Sequence, residues 1–402
     1  MKVLFLCGVF AKENEDEILR HAKRPVEYSA NLFQEKMIDG FRELVDDFSV
    51  ISAPFIGSYP NASDMFSFKG FEEKQEKYQY VPFCNLWGLR NRSRKASLQK
   101  ALAAFIKADD ADKLIVVYSP HTPFVQAAAY AKRKDPRIKI CMVVPDLPQY
   151  MNLNSKISLL YKLGKKYDIA KFEKANQTVD SYMVLTEPMK KPLHIRRRPY
   201  IVVEGIVDQG VFEQNKAKKA ELETDDSVKH IVYTGKLYEK FGVKNLIDTF
   251  RNMEGEDLRL VLCGCGDLDQ YAQEMAQADS RIMVLGQVKP EVAQQWVLKA
   301  DVLVNPRAND EEYTKYSFPS KNIEYLASGN PVVAYKLDGM QNHYADYMIF
   351  AENGLEEAIC SALKLNGNQR RFEKFQNYAK EQLSADKVAE RILAMTGQGC
   401  GK

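Results

Sequence analysis

Short, largely apolar runs recur along this chain, most separated from the next by enough residues for a helix, and this alternation limits the fold more than any other feature. Residues 2–7, 48–51, 114–118, 138–144 and 181–185 read as strands. Between them, 27–44, 95–108, 125–134 and a basic stretch at 155–175 read as helices. Strands apolar on both faces imply a parallel sheet covered by helices on both sides. The pattern then restarts, with strands at 200–204, 230–234, 258–263, 282–285, 302–305 and 332–334. At 402 residues the chain is long for a single core. The expectation is two doubly wound α/β domains in series, with ligand beyond the carboxyl ends of the strands. The polar stretch 214–229 reads as a surface loop, and the hinge is placed near 188–192.

Hydrophobic residues make up 45% of the chain and charged residues 28%, the balance of a folded protein rather than a disordered one. The net charge of +3 is unevenly spread: residues 151–200 hold eleven Lys/Arg against four Asp/Glu, a local +7 that leaves −4 elsewhere. Within it Lys156, Lys162, Lys165 and Lys166 flank Ile157, Leu159, Leu160 and Leu163, a mixture suited either to an anionic membrane surface or to a solvated helix face. Nucleic acid is not an expected partner. Seven scattered cysteines without a Cys-x-x-Cys pair read as small buried hydrophobes in a reducing compartment. The apolar run 3–11 is too short to cross a membrane and is followed by Glu13, Glu15, Asp16 and Glu17. It reads as the first strand, and the expected location is the cytoplasm.

The most informative segment is 316–335, Tyr-Ser-Phe-Pro-Ser-Lys-Asn-Ile-Glu-Tyr-Leu-Ala-Ser-Gly-Asn-Pro-Val-Val-Ala-Tyr. A helix is expected from about 321 to 328, ended by Gly329, with Glu324 on its first turns. A helix N-terminus favours anions such as a diphosphate, and a carboxylate beside it can accept hydrogen bonds from a ribose diol. A solvated surface glutamate is the alternative. Further motifs follow the same order along the chain: Tyr-Thr-Gly-Lys-Leu at 233–237, Leu-Cys-Gly-Cys-Gly at 262–266, Val-Leu-Gly-Gln-Val at 284–288 and Ala-Asp-Val-Leu-Val-Asn-Pro at 300–306.

Together these resemble glycosyltransferase family 4, the retaining GT-B group of glycosyl transferases group 1. The resemblance covers most of the C-terminal half. It implies two Rossmann-like domains facing across a cleft, an acceptor-binding domain at 1–188 and a nucleotide-sugar-binding domain at 189–378. A C-terminal helix at 379–402 would return to the first domain. It also implies that Glu324 binds the donor ribose and that Lys236, standing where the family carries arginine, contacts the diphosphate after Gly235. The family lysine is replaced by Phe241, with Lys240 one residue earlier. Gly264 and Gly266 would allow close backbone approach at a strand tip, and the Gln287/Val288 backbone would pass the nucleobase. Ser317, Phe318, Pro319 and Ser320 would line the entry to the Glu324 helix. Tyr316 stands where the family has its first glutamate. Either Asp310, Glu311 or Glu312 supplies that carboxylate, or backbone N–H groups hold the sugar.

In the first half, Gly8 closes strand one and is a candidate for a turn over a phosphate. His121, in Ser-Pro-His-Thr-Pro after a strand, is a candidate catalytic residue facing the cleft, with Asp146 in a similar place after the next strand. Asp110-Ala111-Asp112 precedes its strand and reads as a turn, not a metal site. The expected enzyme uses neither metal nor cofactor. It is a retaining glycosyltransferase moving sugar from a nucleoside-diphosphate sugar, with UDP favoured, to a glycan or lipid-linked acceptor in bacterial-type polysaccharide or glycoconjugate synthesis. A sugar-nucleotide epimerase of the same architecture and a non-catalytic nucleotide-sugar-binding subunit are the alternatives.

Overall fold

The computed structural model describes residues 1–24, 26, 28–109, 112–149, 159–223, 227–365 and 367–397, with the side chains of 159–163 excepted. The chain forms two compact units. One is Met1–Ile206 joined by the stretch from Leu383 onward, and the other is Val207–Gln382.

The first unit contains β1 (Lys2–Cys7), β2 (Phe48–Ser52), β3 (Ser67–Phe68), β4 (Phe71–Glu73), β5 (Tyr78–Tyr80), β6 (Phe83–Cys84), β7 (Lys113–Tyr118), β8 (Ile138–Val144), β9 (Ser181–Val184) and β10 (Tyr200–Val202). Its main sheet runs β10-β9-β8-β7-β1-β2-β5-β4, parallel except for β4 against β5, while β3 and β6 pair as a separate antiparallel ribbon. The strand order reverses between β1 and β7, which makes the carboxyl ends of those two strands the crevice of this sheet. All six residues of β7 are buried, as a strand covered on both faces requires. On one face the helix Tyr28–Leu44 buries Met37, Ile38 and Phe41. A side chain at Gly40 would begin 2.1 Å from the Ala385 carbonyl oxygen, so the glycine admits the helix Ala385–Met395 at close range. Arg391 of that helix donates to the Val202 carbonyl at 3.1 Å.

The second unit holds β11 (Lys229–Thr234), β12 (Leu258–Cys263), β13 (Ile282–Gly286), β14 (Val302–Asn305), β15 (Val332–Ala334) and β16 (Ile349–Phe350). They form one parallel sheet ordered β13-β12-β11-β14-β15-β16, with the reversal between β11 and β14. The helix Val243–Asn252 covers one face by burying Val243, Leu246, Ile247 and Phe250.

Several sequence expectations change. The strand at 200–204 belongs to the first sheet, because β10 pairs in parallel with β9, and the units divide at Ile206/Val207 rather than near 188. Much of the expected loop 214–229 is the helix Gly210–Ala220. Its buried Phe212 packs against Phe372 and Phe375 at 5.9 and 6.3 Å, and Asn215 donates to the Ala327 carbonyl at 2.9 Å. The helix Lys12–His21 and the stretch from β3 to β6 were not foreseen. Cys7, Cys141 and Cys263 are buried and Cys265 is exposed. Residues 110 and 111, with Lys156 and Ile157 of the lysine–leucine stretch, lie outside the described residues, as do the side chains of Leu159, Leu160, Lys162 and Leu163. Among the described residues no helix is long and apolar enough to cross a membrane.

The first unit contains a buried ion pair at the amino end of β7. Lys113, with no side-chain exposure, donates to Asp135 at 2.8 Å and to the Ile106 carbonyl at 3.0 Å. Hydrogen bonds from Arg137 and Lys113 hold the Asp135 carboxyl well below the usual carboxylate range. Its contribution is therefore full above that range and is lost progressively as pH falls from it through the depressed folded value. Asp135→Ala leaves an uncompensated buried ammonium and is expected to destabilise the unit by ~3–5 kcal/mol. Denaturant unfolding followed by circular dichroism checks this; a midpoint unchanged from the parent would contradict it.

Candidate functional site

In the second unit, the tips of β11 and β14 flank the reversal in strand order, and the loops leaving β11, β12 and β13 are stitched to one another there. Gly235 N–H donates to the Cys263 carbonyl at 2.8 Å, Leu237 N–H to Cys265 at 3.0 Å, and Gly264 N–H to Gly286 at 2.8 Å. Gly264 has φ +141°, and a side chain there would begin 1.7 Å from the Gly235 carbonyl oxygen. Gly242, at φ +76°, likewise has the Pro306 carbonyl oxygen 2.0 Å from where a Cβ would sit. Gly266 is crowded by the Leu237 carbonyl, and its N–H donates to Asp269 at 2.7 Å. These glycines let the loops after β11, β12 and β14 lie directly on each other's backbones.

Three cations gather on that platform. Tyr238 and Phe241 stack at 5.7 Å. The Lys236 ammonium lies 5.8 Å from the Tyr238 ring centre, and Lys240 lies 5.3 Å from Tyr238 and 5.5 Å from Phe241. Arg307, just past β14, stands 5.4 Å from Phe241 and 5.1 Å from Tyr313. Its Nε is buried and has no hydrogen-bond partner. Among the described residues no carboxylate forms an ion pair with any of the three. Arg307 was not foreseen from the sequence; the arginine directly after the β14 motif was the available signal.

The helix carrying Glu324 runs from Ser320 to Leu326 and is tied to both strands of the reversal. The buried Tyr325 hydroxyl accepts from Thr234 N–H at 2.9 Å and donates to the Thr234 carbonyl at 3.2 Å, fixing the helix to the β11 tip. Burial pushes this phenol's pKa up, so it remains a donor. Asn305, the last residue of β14, donates to Asn322 at 2.6 Å, and both are buried. Glu324 itself is exposed and paired with Lys321 at 2.7 Å. Burial pushes the Cys263 thiol at the β12 tip up to about 11, opposed by the charge of Lys321.

The other predicted residues fall as follows. Phe318 is buried against Tyr344 at 4.9 Å, and Ser317 spends its N–H and hydroxyl on the Thr314 carbonyl at 3.1 and 3.2 Å. Pro319 leads into the helix and Ser320 is its first residue. Val288 lies half-buried just past β13, with Gln287 exposed beside it. Asp310, Glu311 and Glu312 are all exposed on the loop after β14, whose Asn309 is bonded to the Lys336 carbonyl and Asp338 at 3.0 and 3.1 Å.

In the first unit, Gly8 directly follows β1 and His121 lies three residues past β7, just before the helix Thr122–Lys134, at that sheet's reversal. Gly8 N–H is taken by Gln34 at 2.9 Å, and the Phe55 ring fills the space a Cβ would need. His121 lies between Phe55 and Phe124, at 5.5 and 5.9 Å, with its Nδ1 buried and unpartnered. Burial, with the nearby charges of Arg94 and Arg90, pushes its pKa down to about 3. Arg94 is itself buried, donating to the Pro54 carbonyl and standing 4.3 Å over the Phe83 ring. Asp146 is exposed after β8.

Residues 228–365 match the family Glycosyl transferases group 1. None of the curated proteins compared with the chain matches it. Among solved structures, Anabaena HepE in complex with UDP is similar at 13% identity, covering 99% of this chain and 100% of that one with a TM-score of 0.60. Sucrose-phosphate synthase from Thermosynechococcus elongatus is similar at 14% identity, with 99% of both chains covered and a TM-score of 0.61. The alpha,alpha-trehalose 6-phosphate synthase from Burkholderia multivorans gives 11% identity, 98% and 96% coverage, and a TM-score of 0.61. At these identities the likeness is one of fold, and that fold is GT-B.

The depressed His121 pKa has a direct readout. Its imidazole is expected to remain neutral between roughly pH 5 and 8, the span in which an ordinary histidine gains its charge. Proton NMR of the five histidines, with His121→Gln to assign its resonance, checks this. A midpoint for His121 near the ordinary value would show that the ring is solvated instead.

Proposed function

We propose that this chain, a glycosyltransferase of group 1 built on the GT-B fold, transfers a sugar from a UDP-sugar to a glycan or lipid-linked acceptor with retention of configuration. The observation that carries the reading is the cluster of Lys236, Lys240 and Arg307 around Tyr238 and Phe241, without a carboxylate counter-ion among the described residues. Such a cluster, at the carboxyl end of a parallel sheet where the strand order reverses, suits a nucleoside diphosphate. The UDP bound by Anabaena HepE supports a uridine donor.

Leaving-group departure places growing negative charge on the diphosphate, and preorganised cations act most strongly on that charge. Lys236 and Arg307 would receive it, with Lys240 at the rim. Side-chain cations fill the role a divalent ion plays elsewhere, so the reaction proceeds without metal or other cofactor. The acceptor hydroxyl enters on the face the diphosphate leaves. His121, neutral, acts as a hydrogen-bonding group toward sugar or acceptor rather than as an acid. Glu324 exchanges Lys321 for the ribose hydroxyls. Arg307 over Phe241 also weighs against a non-catalytic subunit, because it brings a cation to the place where the family lysine is missing. The protein works in the cytoplasm, and its acceptor belongs to bacterial-type polysaccharide or glycoconjugate synthesis.

Donor turnover, followed as UDP release with product mass, tests the reading. With a chelator present throughout, Lys236→Ala and Arg307→Ala are each expected to lower kcat more than they raise donor KM. The loss expected is about 10²–10³-fold, the size seen when one transition-state donor is removed. A pure KM effect would reduce these residues to ground-state binding, and turnover abolished by the chelator would reject metal independence.

Glu324→Gln keeps the helix and removes the charge. Its hydrogen bonds to a ribose diol are worth about 1.5–3 kcal/mol, so donor use should fall by roughly tenfold or more. UDP affinity by calorimetry, compared with that of the parent, is the check. Equal affinity and equal turnover would return Glu324 to a solvated partner of Lys321.

A further inference from the structure

Three of the large apolar side chains the first unit leaves in water stand on stretches of backbone that are hydrogen-bonded to one another. Phe66 is 54% exposed, Trp87 59% and Leu89 48%. They sit on the stretch between β2 and the helix Arg90–Ala101, and hydrogen bonds hold them in one place. Phe66 packs on Tyr59 at 5.5 Å. Trp87 N–H donates to the Tyr59 carbonyl at 3.1 Å, and Asn85 N–H to the Phe66 carbonyl at 2.8 Å. The fully buried Asn85 side chain adds bonds to the Gly57 and Met65 carbonyls at 2.7 and 2.9 Å. The exposure thus belongs to a built surface. A fixed apolar patch of this kind marks a surface that meets something.

The charge beside it says what. The helix that follows Leu89 carries five basic residues and no acidic one in its sequence Arg-Asn-Arg-Ser-Arg-Lys-Ala-Ser-Leu-Gln-Lys-Ala. Arg94 points into the core, whereas Arg92 is exposed and Lys95, three residues on, lies on the same side of the helix. Neither forms an ion pair with a carboxylate among the described residues. Asp64, in the same loop as Phe66, is neutralised by Lys23 at 2.6 Å. Trp, Phe and Leu beside unpaired Arg and Lys form the pattern of a surface that lies in the interface of an anionic bilayer.

We propose that Phe66, Trp87 and Leu89, with Arg92 and Lys95, dock the first unit on an anionic lipid bilayer. This surface is distinct from the lysine–leucine stretch at 156–166, and it does not depend on the donor chemistry proposed above. The aromatic and leucine side chains enter the headgroup boundary while the two cations pair with lipid phosphates. Binding is reversible, because so few side chains make no permanent anchor.

The chain has two tryptophans, so Trp296→Phe leaves Trp87 as the sole reporter. Its emission should shift to the blue with vesicles of phosphatidylcholine plus phosphatidylglycerol and stay fixed with phosphatidylcholine alone. In co-sedimentation of the otherwise native protein, Trp87→Ser with Leu89→Ser should abolish vesicle binding. Arg92→Gln and Lys95→Gln should each weaken it about fivefold at low salt, the factor for one basic residue near an anionic surface. Trp87, Leu89 and Arg92 are exposed, Lys95 and Trp296 are half-buried, and UDP binding by calorimetry reports on the folded second unit and on the donor reading separately. The proposal is overturned by absence of binding to anionic vesicles, by equal binding to neutral ones, or by Ser and Gln variants that bind like the parent. A Trp87 shift on adding soluble oligosaccharide, without a response to vesicles, would overturn it in favour of a glycan.

Discussion

The carbonyl oxygen of Gly235 lies 1.7 Å from where a side chain at position 264 would begin, and the Pro306 carbonyl oxygen is equally intrusive at position 242. No rotamer relieves either contact, because the obstacle is backbone. The loops leaving β11, β12 and β14 are therefore committed to one nested arrangement, with Gly235, Leu237 and Gly264 N–H groups satisfied inside it. Everything carried on those loops inherits its position from that contact. Tyr325 and Asn322 then bring the Glu324 helix to the same two strand tips. A site held on shared backbone loses little ordering entropy when ligand arrives, which is what preorganisation requires.

The electrostatics of this platform contrast with several ion pairs in the same unit. Arg281 has Asp279 at 2.8 Å, Lys244 has Asp248 at 2.7 Å, and Lys229 has Asp301 at 3.1 Å. Lys236, Lys240 and Arg307 have aromatic rings instead. Such contacts contribute about 0.5–1 kcal/mol each at exposed sites, enough to orient a cation but too little to neutralise it. Mutual repulsion among three like charges remains, and an anion relieves it. The same contrast appears in the first unit. Lys113 is buried with its carboxylate, whereas the buried Arg94 has a carbonyl and a ring and projects its charge onto His121.

How far the sequence could be read followed from how local each feature is. Buried parallel strands are continuous apolar runs, so β1, β7, β8, β11, β12 and β14 could be found by inspection. β10 was legible as a strand, but not as a member of the first sheet, because its pairing with β9 is a tertiary fact. The helix Gly210–Ala220 was hidden by its polarity, since Phe212 and Asn215 are the residues it buries. Glycines 235, 264 and 266 announced close backbone approach, yet only the structure shows that they approach one another. The charge state of His121 was likewise out of reach, as it depends on Phe55, Phe124 and Arg94 from separate parts of the chain.

Arg307 is the most instructive omission, because it changes the meaning of a departure the sequence did display. The family pattern sets an arginine where this chain has Lys236 and a lysine where it has Phe241. Read in one dimension, the site has lost its guanidinium and one of its charges. In three dimensions a guanidinium stands over Phe241, delivered from the tip of β14. A fork-shaped donor and a point-charge donor are not equivalent toward a diphosphate: the first fixes two oxygens at once, the second only attracts. On the proposed reading this chain keeps one of each and exchanges their places. The ring at 241, which looks like a loss, becomes the surface that orients the arginine. Restoring lysine at 241 would then add a fourth cation to the cluster and remove the ring that supports Arg307, so the family residue would not be the better one here.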